Sequence, residues 1–443
     1  MKKAIAPVLC AALLGLFISG CAGRAIRQTN QSLCVYYNKD WRPQQFSTMV
    51  SKYEGEYPNV KFKMYDPTGG DTSMTEDNAV KKMDTDIMVG KGPDLIIAPT
   101  SDMDVYKMAR AGAFCDMNPF IRKDSMYDGT FFNQAVLNAG VIDGKRYLFP
   151  LAYRIPILLM GKAKIAKSGF QLNKCTDADR FNSEALRVLG QDSSASLFNQ
   201  DGYGELWSFQ FPDAFNFTKQ QATFDTPQFQ KAMELCKEEY IREKKYPEIT
   251  IGDQSGPEYT EYLERFDQND ILFDETLRIG WQMQEGSFFQ TFDQAETYPV
   301  YNNAGGLTAQ VELFAAIPSG SSNRQNAYTF LRSIFTSSDF MKLLDTPVLN
   351  SGLDAEVQTN KYFVDKALNS SSAIYQSPFP VAELPESFYQ TCASYPAKVN
   401  RVILNMTPYD ELLEQFQPYF EGQETYEKCL KDARNYFDLY MSE

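Results

Sequence analysis

Between residues 33 and 112 the chain alternates between two kinds of hydrophobic spacing, and few folds accommodate that alternation. Leu33 to Tyr37 suits a strand. Pro43 suits a first helical turn, and Phe46, Met49, Val50 and Tyr53 then recur at i, i+3, i+4 and i+7, which predicts a helix with one buried stripe. Val60, Phe62 and Met64 alternate with lysines, as in a half-exposed edge strand. Val80, Met83 and Ile87 mark a second helix that ends before Gly90. The stretch GKGPDLIIAPT, Gly90 to Thr100, holds an unbroken apolar run from Leu95 to Ala98, suited to a strand covered on both faces. Ser101 is expected to cap a third helix with Asp104 at its third position, and Gly112 to close it.

Strand and helix in strict turn predict an α/β domain built on a parallel sheet. In such sheets ligands lie beyond the carboxyl ends of the strands. Asn38 to Trp41, which include Asp40 and Trp41, and Thr100 to Asp102 therefore emerge at one rim. Capping accounts for Ser101. Asp102 is left between a cap and a ligand contact.

The N-terminus has the pattern of an exported chain. Lys2 and Lys3 precede an apolar run from Ala4 to Ile18, which is short for a membrane span. Ile18, Ser19, Gly20 and Cys21 then resemble a bacterial lipobox, whose cysteine receives lipid. Residues 1–20 are read as a lipoprotein signal peptide and 21–32 as a tether, with the chain held at the extracytoplasmic face of the cell membrane through Cys21.

About 410 residues follow the tether, more than one hydrophobic core organises, so two domains are expected. A formal net charge of −14 opposes binding to nucleic acid or to anionic surfaces. Histidine is absent, which removes Ser-His-Asp and Cys-His catalysis and disfavours zinc. No cofactor is indicated. Cys34, Cys115, Cys175, Cys236, Cys392 and Cys429 remain after the lipobox; their spacing matches no metal motif, and both free thiols and disulfides stay open.

Further along, Gly144 to Pro150 and then Ala152 to Ile157 form extended chain with an internal proline, suited to a crossing between domains. Thr226 and Pro227 open a helix with the stripe Phe229, Ala232, Met233, Cys236 and Tyr240. Asn323 opens another, and Asp410 to Tyr440 reads as acidic, aromatic helix.

Six segments resemble, in order, the family 1 extracellular solute-binding proteins, the sugar-binding lipoproteins of ABC importers. They are FSTMVSKYEGEYPNV (46–60), GKGPDLIIAPT, ARAGAFCDMNPF (109–120), DGKRYLFP (143–150), TFDTPQFQKAMEL (223–235) and IPSGSSNRQNAYTFLRSIFTSSDF (317–340). Residues 162–220 and the tail after Val357 match poorly. The resemblance implies an α/β periplasmic-binding-protein-like fold of two lobes with a ligand cleft between them, closure by a hinge, and docking of the closed form on permease subunits. It implies a monomer that binds and does not catalyse. The corresponding division is 33–153 in lobe 1, 154–306 in lobe 2, 307–352 back in lobe 1, and 353–443 as C-terminal helices of lobe 2.

A sugar site needs acids and amides for hydroxyls and flat rings for C–H faces. Trp41 beside Asp40, and Trp281 followed by Gln282, are expected to line the cleft, and Trp207 is a third ring of the same kind. Tyr153 and Arg154 fall where the crossing strand passes the cleft floor. Arg154 suits a bidentate contact to hydroxyls or to an acidic solute, and equally an interlobe salt bridge. Asn303 lies in a glycine-containing loop that either reaches the solute by backbone groups or is a plain turn. Carbohydrate binding and delivery is the leading reading. An anchored glycoside hydrolase, using two of the 57 acids, and a sensor or binder of a non-sugar solute are the alternatives.

Overall fold

A computed structural model describes residues 31–38, 43–198, 202–244, 271–276, 286–336, 347–350 and 381–442, with Glu261, Arg265, Val357, Lys361 and Asp365. Cys21, Asp40, Trp41, Trp281 and Gln282 lie outside the described residues.

The alternation of the first hundred residues becomes β1 (Gln31–Tyr37), α1 (Pro43–Glu56), β2 (Val60–Met64), α2 (Glu76–Met88), β3 (Leu95–Pro99) and α3 (Val105–Arg110). β1 pairs in parallel with both β2 and β3, with Val35 opposite Met64 on one side and Leu95 on the other. β2 is the edge, and its lysines are exposed as the alternation requires. Leu95 to Ala98 are fully buried. Ser101 does not cap α3. It lies exposed in a 3-10 turn, Thr100–Asp102, and Asp104 is the cap, its carboxylate accepting from Lys107 N at 3.0 Å. The extra turn moves the helix start three residues along, so the residue expected inside the helix stands at its mouth.

Next come β4 (Leu148–Arg154) and β5 (Ile157–Gly161), then α4 (Ala178–Gln191), α5 (Gly202–Gln210) and α6 (Pro227–Glu243). Thr226 caps α6 through Phe229 N at 3.1 Å, with Pro227 in the first turn as read from the sequence. The chain continues through β6 (Asp274–Thr276), β7 (Ala295–Pro299), β8 (Leu307–Ala316) and α7 (Arg324–Phe335). It ends with α8 (Glu386–Ser394), β9 (Val399–Ile403), α9 (Thr407–Phe420) and α10 (Tyr426–Ser442).

The larger sheet runs β9-β8-β3-β1-β2, and β4 also pairs with β8. It is mixed, because β8 is antiparallel to β3 and β4, with Leu313 opposite Pro99 and Val311 opposite Tyr153. A second sheet sets β5 between β6 and β7, antiparallel to both.

β5 lies between the two apolar clusters. Ile157 and Leu159 pack into the cluster around the larger sheet, whereas Leu158 and Met160 pack into the other with Trp207, Phe229, Phe273 and Tyr409. Strand side chains alternate between faces, so one buried strand serves both clusters and must read as an unbroken apolar run.

Asp410 to Tyr440 is helical as expected, in two helices, α9 and α10, parted at Gly422, whose φ is +72°. One expectation needs correction: 353–443 is not all helix of the second lobe, since β9 returns to the larger sheet beside β8, in parallel. β9 is short and at an edge, with exposed Asn400 and half-buried Arg401 between its buried ends, so it carries little hydrophobic pattern. All six cysteines after the lipobox are free thiols, four of them buried.

Candidate functional site

Parallel β1 and β3 both end at one rim of the larger sheet, where antiparallel β8 passes and β4 leaves. Thr100 Oγ1 donates to Val311 O at 2.6 Å and fastens the end of β3 to β8. Asp102 is buried there. Its Oδ2 accepts from Asn38 Nδ2 at 3.0 Å and from Tyr36 OH at 3.3 Å. Asp102 thus joins the exits of β1 and β3, the two segments that sequence reasoning brought to one rim.

Arg154, the last residue of β4, is half-buried. Its Nε donates to Gln310 Oε1 at 2.5 Å, and its guanidinium lies 5.8 Å from the centre of the Phe209 ring in α5. The salt-bridge reading of Arg154 does not hold among the described residues, where its only polar partner is Gln310. Tyr153 is 1% exposed, packed in the larger cluster, with its hydroxyl accepting from Asn133 Nδ2 at 3.4 Å. Side chains alternate along β4, so when Arg154 faces the rim its neighbour faces the core.

Trp207 is a core residue. It is 1% exposed and packs against Phe229 and Tyr409, each ring centre 5.7 Å away. In this arrangement no face of its indole is free to stack on a solute. The Asn303 side chain is exposed, and its backbone N–H is already used, donating to Gln210 O at 3.0 Å. That is the plain-turn reading.

The residue that organises this loop is Asn302, which sequence reasoning placed in the loop with Asn303 but gave no role of its own. It is fully buried. Its Nδ2 donates to Asn400 Oδ1 at 2.8 Å and Thr308 Oγ1 at 3.1 Å, and its Oδ1 accepts from Ala304 N and Gly306 N. Thr308 Oγ1 in turn donates to Phe209 O at 2.6 Å. The end of α5 is thereby tied to the start of β8 beside Arg154. The only hint in the sequence is the Asn-Asn pair ahead of two glycines.

The two apolar clusters also meet through rings. Tyr106 of α3, packed on the first, and Phe217, packed on the other, lie stacked, with centres 4.2 Å apart and an interplanar angle of 9°. They line a cavity of about 390 Å³ with Asp213, Asn216, Val402 and Leu404. Arg401 Nε donates to Asp213 Oδ2 across this junction at 3.0 Å. Tyr440 of α10 reaches Asp104 of α3 at 3.4 Å, and Lys107 Nζ lies 4.8 Å from the Tyr440 ring centre. Among the described residues no group of His, Cys, Asp or Glu is placed to hold a metal, and no helix is long and apolar enough to cross a membrane.

No family model and no curated protein matches the chain. Solved structures do. The sugar-binding protein MalE from Xanthomonas citri aligns with a TM-score of 0.64 at 11% identity, over 93% of this chain and 97% of that one. The chain has the fold of the two-lobe solute-binding proteins. A family 1 extracellular solute-binding protein from Alicyclobacillus acidocaldarius aligns with a TM-score of 0.59 at 14% identity, over 93% and 98%. An ABC substrate-binding protein from Listeria monocytogenes, solved with cycloalternan, gives 0.57 at 15%, over 93% and 99%. Near end-to-end coverage at such low identity means that the fold is shared along the chain while most side chains differ.

Proposed function

We propose that this chain is an extracytoplasmic binding protein that closes two lobes on a carbohydrate and delivers it to the permease of an ABC importer, without catalysis. The observation that carries the reading is the junction itself. Asn38 and Asp102 meet at the ends of β1 and β3, Arg154 with Gln310 stands where Phe209 of α5 approaches, and Tyr106 of α3 stacks on Phe217. Amide and carboxylate groups suit hydroxyls, and rings suit sugar faces. Solved neighbours described as a sugar-binding protein, as a substrate-binding protein in complex with cycloalternan and as a cyclic alpha-maltosyl-1,6-maltose binding protein support the same class. A solute touching both lobes shifts the population toward closure by its differential affinity. Anchoring through a lipid on Cys21 completes the proposal, and export places the delivery step outside the cytoplasmic membrane.

The test is a thermal-shift screen of the chain lacking residues 1–21 against neutral and acidic oligosaccharides. A ligand at a hundred times its Kd stabilises the bound state by about 2.7 kcal/mol. The expected result is a rise in Tm of several degrees with at least one glycan. A cooperatively unfolding sample that shifts with none of them overturns the reading.

A further inference from the structure

We propose that the solute carries a carboxylate, as uronic-acid oligosaccharides do, and that the guanidinium of Arg154 receives it. The proposal rests on the carbohydrate-binding reading above and narrows it to one chemical class.

Arg154 is a half-buried arginine that no acid or carbonyl pairs among the described residues. The other arginines that are not exposed and have a hydrogen-bonded or ion-paired partner each give at least one donor to oxygen with a charge or a strong dipole, although Nε of Arg242 is left without a partner. Arg146 gives to the carbonyl of Leu137, and Arg242 to the carbonyls of Leu189, Asp192 and Ala195. Arg187 pairs with Glu184, Arg332 with Asp124 and Arg401 with Asp213. Among the described residues Arg154 has neither a carboxylate nor a backbone carbonyl as partner. Its one hydrogen bond among them is Nε to the side-chain amide of Gln310, a residue itself 8% exposed. Both Nη groups lack a partner among the described residues, and neither is sealed from solvent.

A half-buried guanidinium without a counter-charge is a poor end state for a fold, because desolvation is not offset by pairing. The cost is tolerable when the missing anion arrives with the ligand. The geometry is ready for one. The Gln310 bond and the Phe209 ring hold the guanidinium plane, and the free Nη pair presents the parallel donors that a carboxylate accepts in bidentate fashion. Asp102 accepts from Tyr36 and Asn38, and Asp213 from Arg401, so both acids already have donors of their own. In a chain of net charge −14 the overall field does not draw in an acidic solute, so recognition has to come from a local cation of this kind.

The experiment is calorimetric titration of the chain lacking residues 1–21 with paired probes: oligogalacturonate, oligomannuronate and a glucuronate-bearing xylo-oligosaccharide, each beside its neutral methyl ester. At least one acid is expected to bind about tenfold or more tighter than its ester, the scale of one charge-assisted pair. Arg154→Gln should weaken that acid by about 30-fold or more and change the ester by less than about threefold. Arg154→Lys should fall between, because an ammonium keeps the charge and loses the planar fork. The wild-type acid and ester pairs need no variant, so a misfolded substitution leaves the test intact. Neutral glycans bound as tightly as every acid, or unchanged acid binding in a folded Arg154→Gln, overturn the carboxylate proposal and leave carbohydrate binding standing. Binding of no glycan, neutral or acidic, overturns both.

Discussion

Replacing Trp207 with alanine is expected to cost the fold roughly 3–5 kcal/mol and to leave solute affinity, measured on the folded fraction, within about twofold of wild type. The indole is 1% exposed and stands between α6 and α9, with edge-to-face and tilted contacts to Phe229 and Tyr409. Phe229, itself fully buried, is also packed against Phe211, Phe224 and Phe416. Truncation therefore opens a cavity in a ring cluster drawn from three stretches of the chain, 207–211, 224–229 and 409–416, and such clusters collapse poorly. The Tyr409 hydroxyl donates to Pro212 O, so Tyr409 cannot swing into the gap without giving up that bond. Trp207→Phe keeps most of the volume and should cost about 1–2 kcal/mol. Chemical denaturation gives the stability and calorimetry the affinity. If Trp207→Phe unfolds like wild type but loses the solute, the ring is a ligand contact in a state of the lobes other than this one.

Trp207 also marks a limit of reading the sequence. A tryptophan near a predicted cleft suits stacking and suits a core equally well, and the neighbours Leu206, Phe209 and Phe211 do not separate the two. What decides is the arrival of Phe229 and Tyr409 from far along the chain, which local spacing does not encode. Arg154 shows the same boundary from the other side. The extended run through Pro150 places it at a crossing, but its partner Gln310 lies 156 residues away and depends on the register of β4 against β8. The first three strands, by contrast, were legible because each period is local: alternating lysines for the edge strand β2, an unbroken apolar run for the covered strand β3. The rim followed from the parallel order alone, and Asp102 and Asn38 do meet there. The cap of α3 was misassigned by three residues because Ser101 and Asp104 both fit an N-cap, and only the intervening 3-10 turn tells them apart.

Glu239 is the strongest instance of a residue whose role no spacing reveals, and it should make the chain's stability depend on pH in an unusual direction. It lies on the apolar stripe of α6, three residues after Cys236, and is 1% exposed. Its Oε2 accepts from Leu197 N at 2.9 Å, Phe198 N at 3.2 Å and Ser196 Oγ at 3.3 Å, whereas Oε1 has no partner. Burial, reinforced by the charge of Glu243, raises its carboxyl to about 8 against the pull of the two backbone donors and of Arg242. The folded state therefore holds a proton that the unfolded chain has released. The stabilising proton is fully in place below the ordinary glutamate value of about 4.5 and is lost as pH climbs through about 8. At about 1.4 kcal/mol per pH unit this is a decline of several kcal/mol across that window. Glu239→Gln supplies a neutral group of the same shape, so its stability relative to wild type should rise from pH 5 to about pH 8 and level off above it. Glu239→Ala should instead cost about 3–5 kcal/mol at pH 6, because it strands two buried backbone donors and leaves a cavity. Denaturant titrations of the three proteins at pH 5, 7 and 9 separate these effects. Wild-type and Glu239→Gln curves that stay parallel over that range would show that Glu239 is ionised when folded, with its charge carried by the loop that turns back on it at 196–198.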